Sequence, residues 1–165
     1  MSDATFQVTP IGAIDSDGRE LCIRVLPEFA PGLRGLDECT HAIIVYWCHL
    51  ARRPTGESLV VESPYASGPS ALGTFATRSP ERPNPIAMTC VRIARVDARA
   101  GELRTPWIDA AKGSPVLDIK PYVAALDRVR APLPPAWCAH WPEWVEDAAK
   151  FDWMSELTAD ARARG

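Results

Sequence analysis

The sequence lacks the features that mark membrane, secreted and disulfide-rich proteins. No apolar run in its 165 residues approaches the roughly 20 that a membrane-spanning helix needs. The N-terminal stretch MSDATFQV lacks the basic and apolar regions of a signal peptide. The five cysteines are odd in number and include no Cys-x-x-Cys pair, which argues against a disulfide framework. These absences predict a cytoplasmic protein.

Metal binding also has little support in the sequence. Cys39, His41 and His49 share strand parity and come nearest to forming a metal cluster. Structural zinc sites usually use more closely spaced ligand pairs, so we expect no metal site. Taken singly, His41 and His49 are each more typical of a structural histidine than of a catalytic one.

Two further absences concern nucleotide and nucleic-acid binding. No Gly-x-Gly-x-x-Gly follows a strand pattern, so a Rossmann-type cofactor site is not expected. The net charge is −3 rather than positive, and residues 137–165 carry all of it, because residues 1–136 hold fifteen basic and fifteen acidic side chains. Phosphate binding would therefore depend on a local arginine patch, which permits an RNA partner without arguing for one.

Short β-type segments dominate the chain up to residue 122. About seven such segments separated by turns predict an all-β barrel or sandwich. Residues 42–47 are apolar at every position, which predicts a strand buried on both faces. A turn at residues 15–18, which contains Asp-Gly, predicts a hairpin. Pro106 interrupts a later strand and implies an edge or a bulge.

The C-terminal region has a different pattern. Residues 131–135 begin a proline-rich connector, and from Pro142 onward the sequence predicts a helix with Trp144, Ala148, Phe151 and Met154 on one face. We therefore expect a β domain over residues 1–130, with the connector and helix of residues 131–165 packing on it. The aromatic residues of this tail would pack in the core, close over a substrate or contact a second subunit.

A proline-rich loop at residues 78–85, here called the proline loop, stands out between two strand patterns. Pro80, Pro83 and Pro85 fix φ and remove backbone donors, so neither a helix nor a central strand can pass through. The loop therefore carries Arg78 and Arg82 on a stiff path, and their planar guanidinium groups suit carboxylate or phosphate. The alternative is a proline-rich surface hairpin without a ligand.

A second motif, GSPVLDIKPY, covers residues 113–122. Its alternation places Asp118, Lys120 and Tyr122 on one face, each roughly 6–7 Å from the next at the rise of a strand. A carboxylate, an ammonium and a phenol in one row could form a binding site. They could equally form a solvated face with a weak ion pair.

Together these motifs resemble a known family. TRSPERPNPIA at residues 77–87, GSPVLDIKPY and, more weakly, RGLDECTH at residues 34–41 occur in the order of the TsaA-like or TrmO family. Its members are S-adenosylmethionine-dependent tRNA adenosine N6-methyltransferases. The resemblance implies a compact single antiparallel β-barrel, a homodimer, S-adenosylmethionine as methyl donor and tRNA as partner.

The resemblance also implies site residues. Thr40-His41 stands where the family has a Ser/Thr-His pair at the start of a strand, which makes His41 the candidate base. His41, Arg82 and Asp118 are the predicted catalytic residues. The donor would lie between the two motifs, and the predicted cofactor-binding residues are Arg78, Ser79, Pro80, Arg82, Pro85, Ile86, Asp118, Ile119, Lys120 and Tyr122.

Two departures from the family pattern affect the expected acceptor. Lys112 stands where family members usually have Asp, and a Pro-Arg-Gln segment normally found between the first two strands is absent. The resemblance itself implies N6-methylation of threonylcarbamoyl-adenosine at position 37 of tRNA. The two departures leave open an S-adenosylmethionine-binding module without tRNA methylation activity, or a methyltransferase that acts on another substrate.

Overall fold

The computed structural model describes residues 6–16 and 20–159, and within them the chain is mostly antiparallel β-sheet with little helix. The strands are β1 Gly12–Ser16, β2 Leu21–Val25, β3 His41–Trp47, β4 Val60–Glu62, β5 Ala71–Gly73, β6 Ile86–Arg92, β7 Arg95–Asp97, β8 Glu102–Thr105 and β9 Pro115–Pro121. The α-helices are α1 Ala124–Asp127, α2 Val145–Ala148 and α3 Trp153–Glu156. Short 3-10 helices are Ala30–Leu33, Leu36–Glu38, Gly56–Leu59, Thr74–Ala76 and Ala136–Cys138.

The chain divides into two compact units. The main unit comprises Met1–His49 and Ile86–Arg128, and the second unit comprises Leu50–Pro85 and Val129–Gly165. The second unit is therefore built from an insertion in the β domain together with the tail. The sequence-based division into residues 1–130 and 131–165 stays a prediction.

The main unit holds a seven-stranded antiparallel sheet in the order β6-β3-β9-β1-β2-β8-β7. A closed barrel is not found in the described residues, so that part of the expected fold is wrong. β6 and β7 are the edges, although they follow each other in the chain. The chain changes neighbours between them, since the Ile93 amide donates to the Thr40 carbonyl beside β3 and the Ala94 amide donates to the Arg104 carbonyl on β8.

The hydrophobic core lies on one face of this sheet. β3 contributes Ala42, Ile44 and Tyr46 to it, while Val45 and Trp47 on the other face are only half-buried. The predicted strand at residues 42–47 is confirmed, but only its core-facing side is fully buried. Other core residues include Ile14, Ile23, Val91, Leu103 and Val116.

Two turn predictions have different outcomes. β1 and β2 pair as a hairpin with Ser16 opposite Leu21. The first two residues of the predicted turn, Asp15 and Ser16, belong to β1, and residues 17 and 18 lie outside the described residues. The edge or bulge expected from Pro106 is wrong. β8 ends at Thr105, one residue before the proline, and lies between β2 and β7 rather than at an edge.

The prediction of a continuous C-terminal helix is also wrong. Residues 145–156 instead contain two four-residue helices, α2 and α3, because Asp152 begins a new helix by accepting a hydrogen bond from the Ser155 amide. The predicted buried helix face does not form, since Trp144 and Met154 are 52% and 57% exposed.

Aromatic packing holds the tail within the second unit. Tyr65 stacks on Trp137 with ring centroids 5.0 Å apart, and Trp141 packs edge-on against both rings. The tail also pairs with the same segment through its backbone, because the Ala66 amide donates to the Glu156 carbonyl at 2.8 Å. The described part of the tail thus packs on residues 63–66.

No helix in the described ranges is long and apolar enough to cross a membrane. Within the same ranges, no group of three His, Cys, Asp or Glu side chains lies close enough to hold a metal ion.

We predict that Gly101→Ala destabilises the main unit by about 1–3 kcal/mol. Gly101 has a φ of 68°, and a Cβ there would lie 2.6 Å from the Val25 carbonyl oxygen. Gly32→Ala is the matched control, because a Cβ at Gly32 meets no atom within 4 Å. Denaturant unfolding measures both variants, and equal stabilities would contradict the prediction.

Candidate functional site

The candidate site is the face of β6, β3 and β9 that points away from the core. Register fixes its membership, since residues directly opposite in an antiparallel pair project to the same side of a sheet. Val45 lies opposite Met88 and Asp118, and His41 lies opposite Arg92. We call this surface the outer face; it comprises His41, Ile43, Val45, Trp47, Ile86, Met88, Cys90, Arg92, Asp118, Lys120 and Tyr122.

Polar side chains gather at one end of the outer face. His41 is half-buried, and its Nδ1 lies 3.0 Å from the Thr40 hydroxyl oxygen. The Tyr122 amide donates to the His41 carbonyl at 3.1 Å, and the two rings meet edge-on with centroids 6.4 Å apart. Arg92 completes the row across β6. The strand ends thus place an imidazole, a phenol and a guanidinium side by side.

Asp118 and Lys120 extend this polar row along β9. The Lys120 ammonium lies 2.7 Å from Asp118 Oδ2, and Asp118 Oδ1 accepts from the Ile119 amide at 2.9 Å. The hydrogen bond with Asp118 raises the pKa of Lys120. Both side chains are about half-exposed, so the pair adds little stability. It does fix the direction of the carboxylate.

The other end of the outer face is apolar. Ile86 and Met88 on β6 are 42% and 48% exposed, and Val45 and Trp47 lie opposite them on β3. A contiguous exposed apolar surface beside a polar row is typical of a binding site.

The beginning of the second motif is fixed by three local contacts. Gly113 has a φ of 87°, which favours glycine. The buried Ser114 hydroxyl lies 3.2 Å from His49 Nδ1 at the end of β3. Lys112, one of the departures from the family pattern, forms an ion pair with Asp15 at 3.0 Å. The chain leading into β9 is therefore positioned from both β3 and β1.

The proline loop belongs to the second unit, where Arg82 braces it from within. Its Nη1 donates to the carbonyl oxygens of Thr74, Thr77 and Ser79 at 3.1, 3.0 and 3.4 Å. Its guanidinium carbon lies 5.7 Å from the centre of the Phe75 ring. One nitrogen of the guanidinium group is thus occupied by the backbone of its own loop.

Two arginines of an adjacent turn hold the proline loop from outside. Arg52 donates to both carboxylate oxygens of Glu81, at 2.8 and 3.3 Å. Arg53 Nε donates to the Pro83 carbonyl at 3.1 Å. These bonds restrict the loop in addition to its prolines, so the loop has little conformational freedom to lose when a ligand binds.

A profile of the tRNA-methyltransferase O N-terminal domain matches residues 4–128 of the chain, which is more than half of its length. This protein belongs to the TrmO family.

Relatives and solved structures agree with that assignment. An Archaeoglobus fulgidus protein named "Probable S-adenosyl-L-methionine-binding protein" is 43% identical over 107 residues, covering 65% of this chain and 27% of that protein. A Pseudomonas aeruginosa protein named "Putative S-adenosylmethionine-dependent methyltransferase RcsF" is 37% identical over 136 residues, covering 78% and 57%. The crystal structure of TrmO from P. aeruginosa matches with a TM-score of 0.64 and 30% identity, covering 82% and 62%. This chain spans less than two thirds of each of those three proteins.

The predicted TrmO site residues fall into two groups. His41, Ile86, Asp118, Lys120 and Tyr122 share the outer face of the main unit, whereas the Ile119 side chain packs against the core. The remaining predicted residues lie on the proline loop in the second unit; Arg78 and Pro80 are exposed, Ser79 and Arg82 are half-buried, and Pro85 is buried.

Sequence reasoning missed Val45, Met88 and Arg92 on the outer face. The alternation of exposed and core positions in β6 could have indicated Met88 and Arg92. It could not have shown that β6 and β9 both pair with β3. Val45 was hidden inside an all-apolar run, where alternation gives no signal.

We predict that Arg82→Ala lowers the free energy of unfolding by about 1–3 kcal/mol, because three backbone carbonyls lose a charged donor. Arg34→Ala removes an equally charged but exposed side chain and serves as the control. Thermal melting compares the two variants. Unchanged melting of Arg82→Ala, together with lost ligand binding, would show that Arg82 acts on the ligand and not on its loop.

Proposed function

We propose that this TrmO-family protein is an S-adenosylmethionine-dependent methyltransferase acting on N6 of threonylcarbamoyl-adenosine at position 37 of tRNA. The main support is that four predicted residues from two distant motifs share one face of one sheet: His41, Asp118, Lys120 and Tyr122. The family membership and the names of the relatives support the same activity. We further propose a cytoplasmic homodimer.

The outer face has the groups that S-adenosylmethionine requires. The Asp118 carboxylate can accept hydrogen bonds from the donor's ribose hydroxyls or amino group, because its two contacts leave lone pairs free. Met88 and Ile86 provide exposed apolar surface of the kind that an adenine ring packs against. Lys120 provides a cation for a carboxylate. The polar and apolar groups of this face therefore match the groups of the cofactor.

When bound, S-adenosylmethionine supplies an electrophilic methyl group on a positively charged sulfur. The protein's task is then mostly positioning and electrostatics, because methyl transfer is an in-line displacement. Asp118 would orient the donor, and the backbone of Lys120 to Tyr122 would frame it. The proline loop would offer the exposed Arg78 to a carboxylate or phosphate, while Arg82 keeps the loop in shape.

His41 is the proposed acceptor of the proton that the target nitrogen loses. Its Nδ1 contacts the Thr40 hydroxyl, and its carbonyl is held by the Tyr122 amide, so both its ring and its backbone are oriented. Imidazole is suited to this role because one of its two ring nitrogens can accept a proton while the other is held by a hydrogen bond.

We predict that S-adenosylmethionine binds and that Asp118→Asn weakens binding by about 1–3 kcal/mol, since a neutral amide is a poorer acceptor. Asp37→Asn, at another exposed acid, is the control and should bind as the wild type does. Isothermal titration calorimetry measures all three proteins. Absence of heat at millimolar donor would refute the donor site, and equal affinities would exclude Asp118 from it.

The acceptor is tested by mass spectrometry of tRNA nucleosides from cells with and without the gene. We expect the N6-methyl group on threonylcarbamoyl-adenosine to disappear on deletion, to return with the wild-type gene and to stay absent with His41→Ala. His49→Ala is the control histidine and should restore the mark at least in part. Donor binding without any change in tRNA would instead favour a binding module or another substrate.

A further inference from the structure

A pocket of about 380 Å³ lies within the second unit, and none of its lining residues is among those assigned to the donor. Its volume is at the lower end of small-molecule pockets, roughly 300–1,000 Å³. Its lining combines an apolar wall with guanidinium, hydroxyl and carboxylate groups, and consists of Arg52, Arg53, Pro54, Ser58, Val60, Val61, Glu62 and Glu81.

The pocket is built against the proline loop. Glu81 belongs to that loop, and its carboxylate accepts hydrogen bonds from Nε and Nη2 of Arg52. Arg53 donates to the Pro83 carbonyl of the same loop. The Arg52 side chain is nevertheless 74% exposed, so a face of its guanidinium plane stays open to a ligand. An occupant of this pocket would therefore contact the groups that fix the loop.

The lining suits a nucleobase attached to a phosphate. Val60 is 51% exposed and offers an apolar surface to the face of a base. The planar guanidinium of Arg52 can stack on a base or bind a phosphate oxygen. Glu62 is exposed and offers a carboxylate that accepts from amino groups on the edge of a base.

We propose that this pocket binds one unpaired, amine-bearing base of the RNA acceptor, so that the RNA is read beside the proline loop. The inference rests on the proposed function, because it takes the acceptor to be RNA. A carboxylate at the base edge selects adenine, cytosine or guanine over uracil, whose two carbonyl oxygens repel it. The pocket would therefore contribute to the choice of acceptor and not to donor binding.

The test is a titration of the full chain with AMP, CMP, GMP or UMP in the absence of methyl donor. NMR measures the binding. We expect the first three nucleotides to bind about fivefold more tightly than UMP and to shift the Val60 methyl signals. Glu62→Gln should remove most of that preference, and Val60→Asp should weaken all four nucleotides about tenfold or more. Glu28→Gln, at an exposed acid of the main unit, is the control and should change neither the base preference nor the nucleotide affinity.

Calorimetry with S-adenosylmethionine on the same variants separates this inference from the proposed function. Unchanged donor affinity in Glu62→Gln and Val60→Asp is expected. Failure of donor binding in the wild type would refute the proposed function while leaving the nucleotide result intact. Nucleotides that do not bind, bind without base preference or leave Val60 unshifted would overturn the pocket assignment, whatever the donor does.

Discussion

The register of β3 between β6 and β9 is the constraint on which the candidate site depends. One parity of β3 enters the core through Ala42, Ile44 and Tyr46, and the opposite parity forms the outer face. A slip of one residue in either pairing would move the outer-face side chains into the core. The apolar core thus selects the register, and the register aligns Asp118 with Val45 and Arg92 with His41. The chemistry of the outer face is a consequence of how the core packs.

The proline loop illustrates a second principle, which is rigidity obtained from several weak sources. Prolines limit its backbone, Arg82 bonds to three of the carbonyls around it, and Arg52 and Arg53 hold it from the adjacent turn. A loop ordered in this way loses little conformational entropy when a ligand binds. Arg52, Arg53 and Arg82 therefore use at least some of their hydrogen-bond donors to hold the loop rather than a ligand.

Much of the site could be predicted from the sequence because its signals are local. Alternation in residues 115–122 correctly placed Asp118, Lys120 and Tyr122 on one face, and the apolar run at residues 42–47 identified the central strand. The failures concern long-range geometry. An open sheet and a barrel share the same strand patterns, because closure depends on whether the edge strands pair. The tail has helical periodicity, but aromatic packing around Tyr65 and a cap at Asp152 divide it into short turns.

We propose that the methyl donor binds the outer face of the TrmO-family sheet. The most direct test is heteronuclear NMR of the labelled protein titrated with S-adenosylhomocysteine, the demethylated product. We expect chemical-shift changes concentrated on β6, β3 and β9, including the amides of Lys120 and Tyr122, with little change on β7 and β8. Changes confined to β7 and β8, or no changes at saturating ligand, would contradict it.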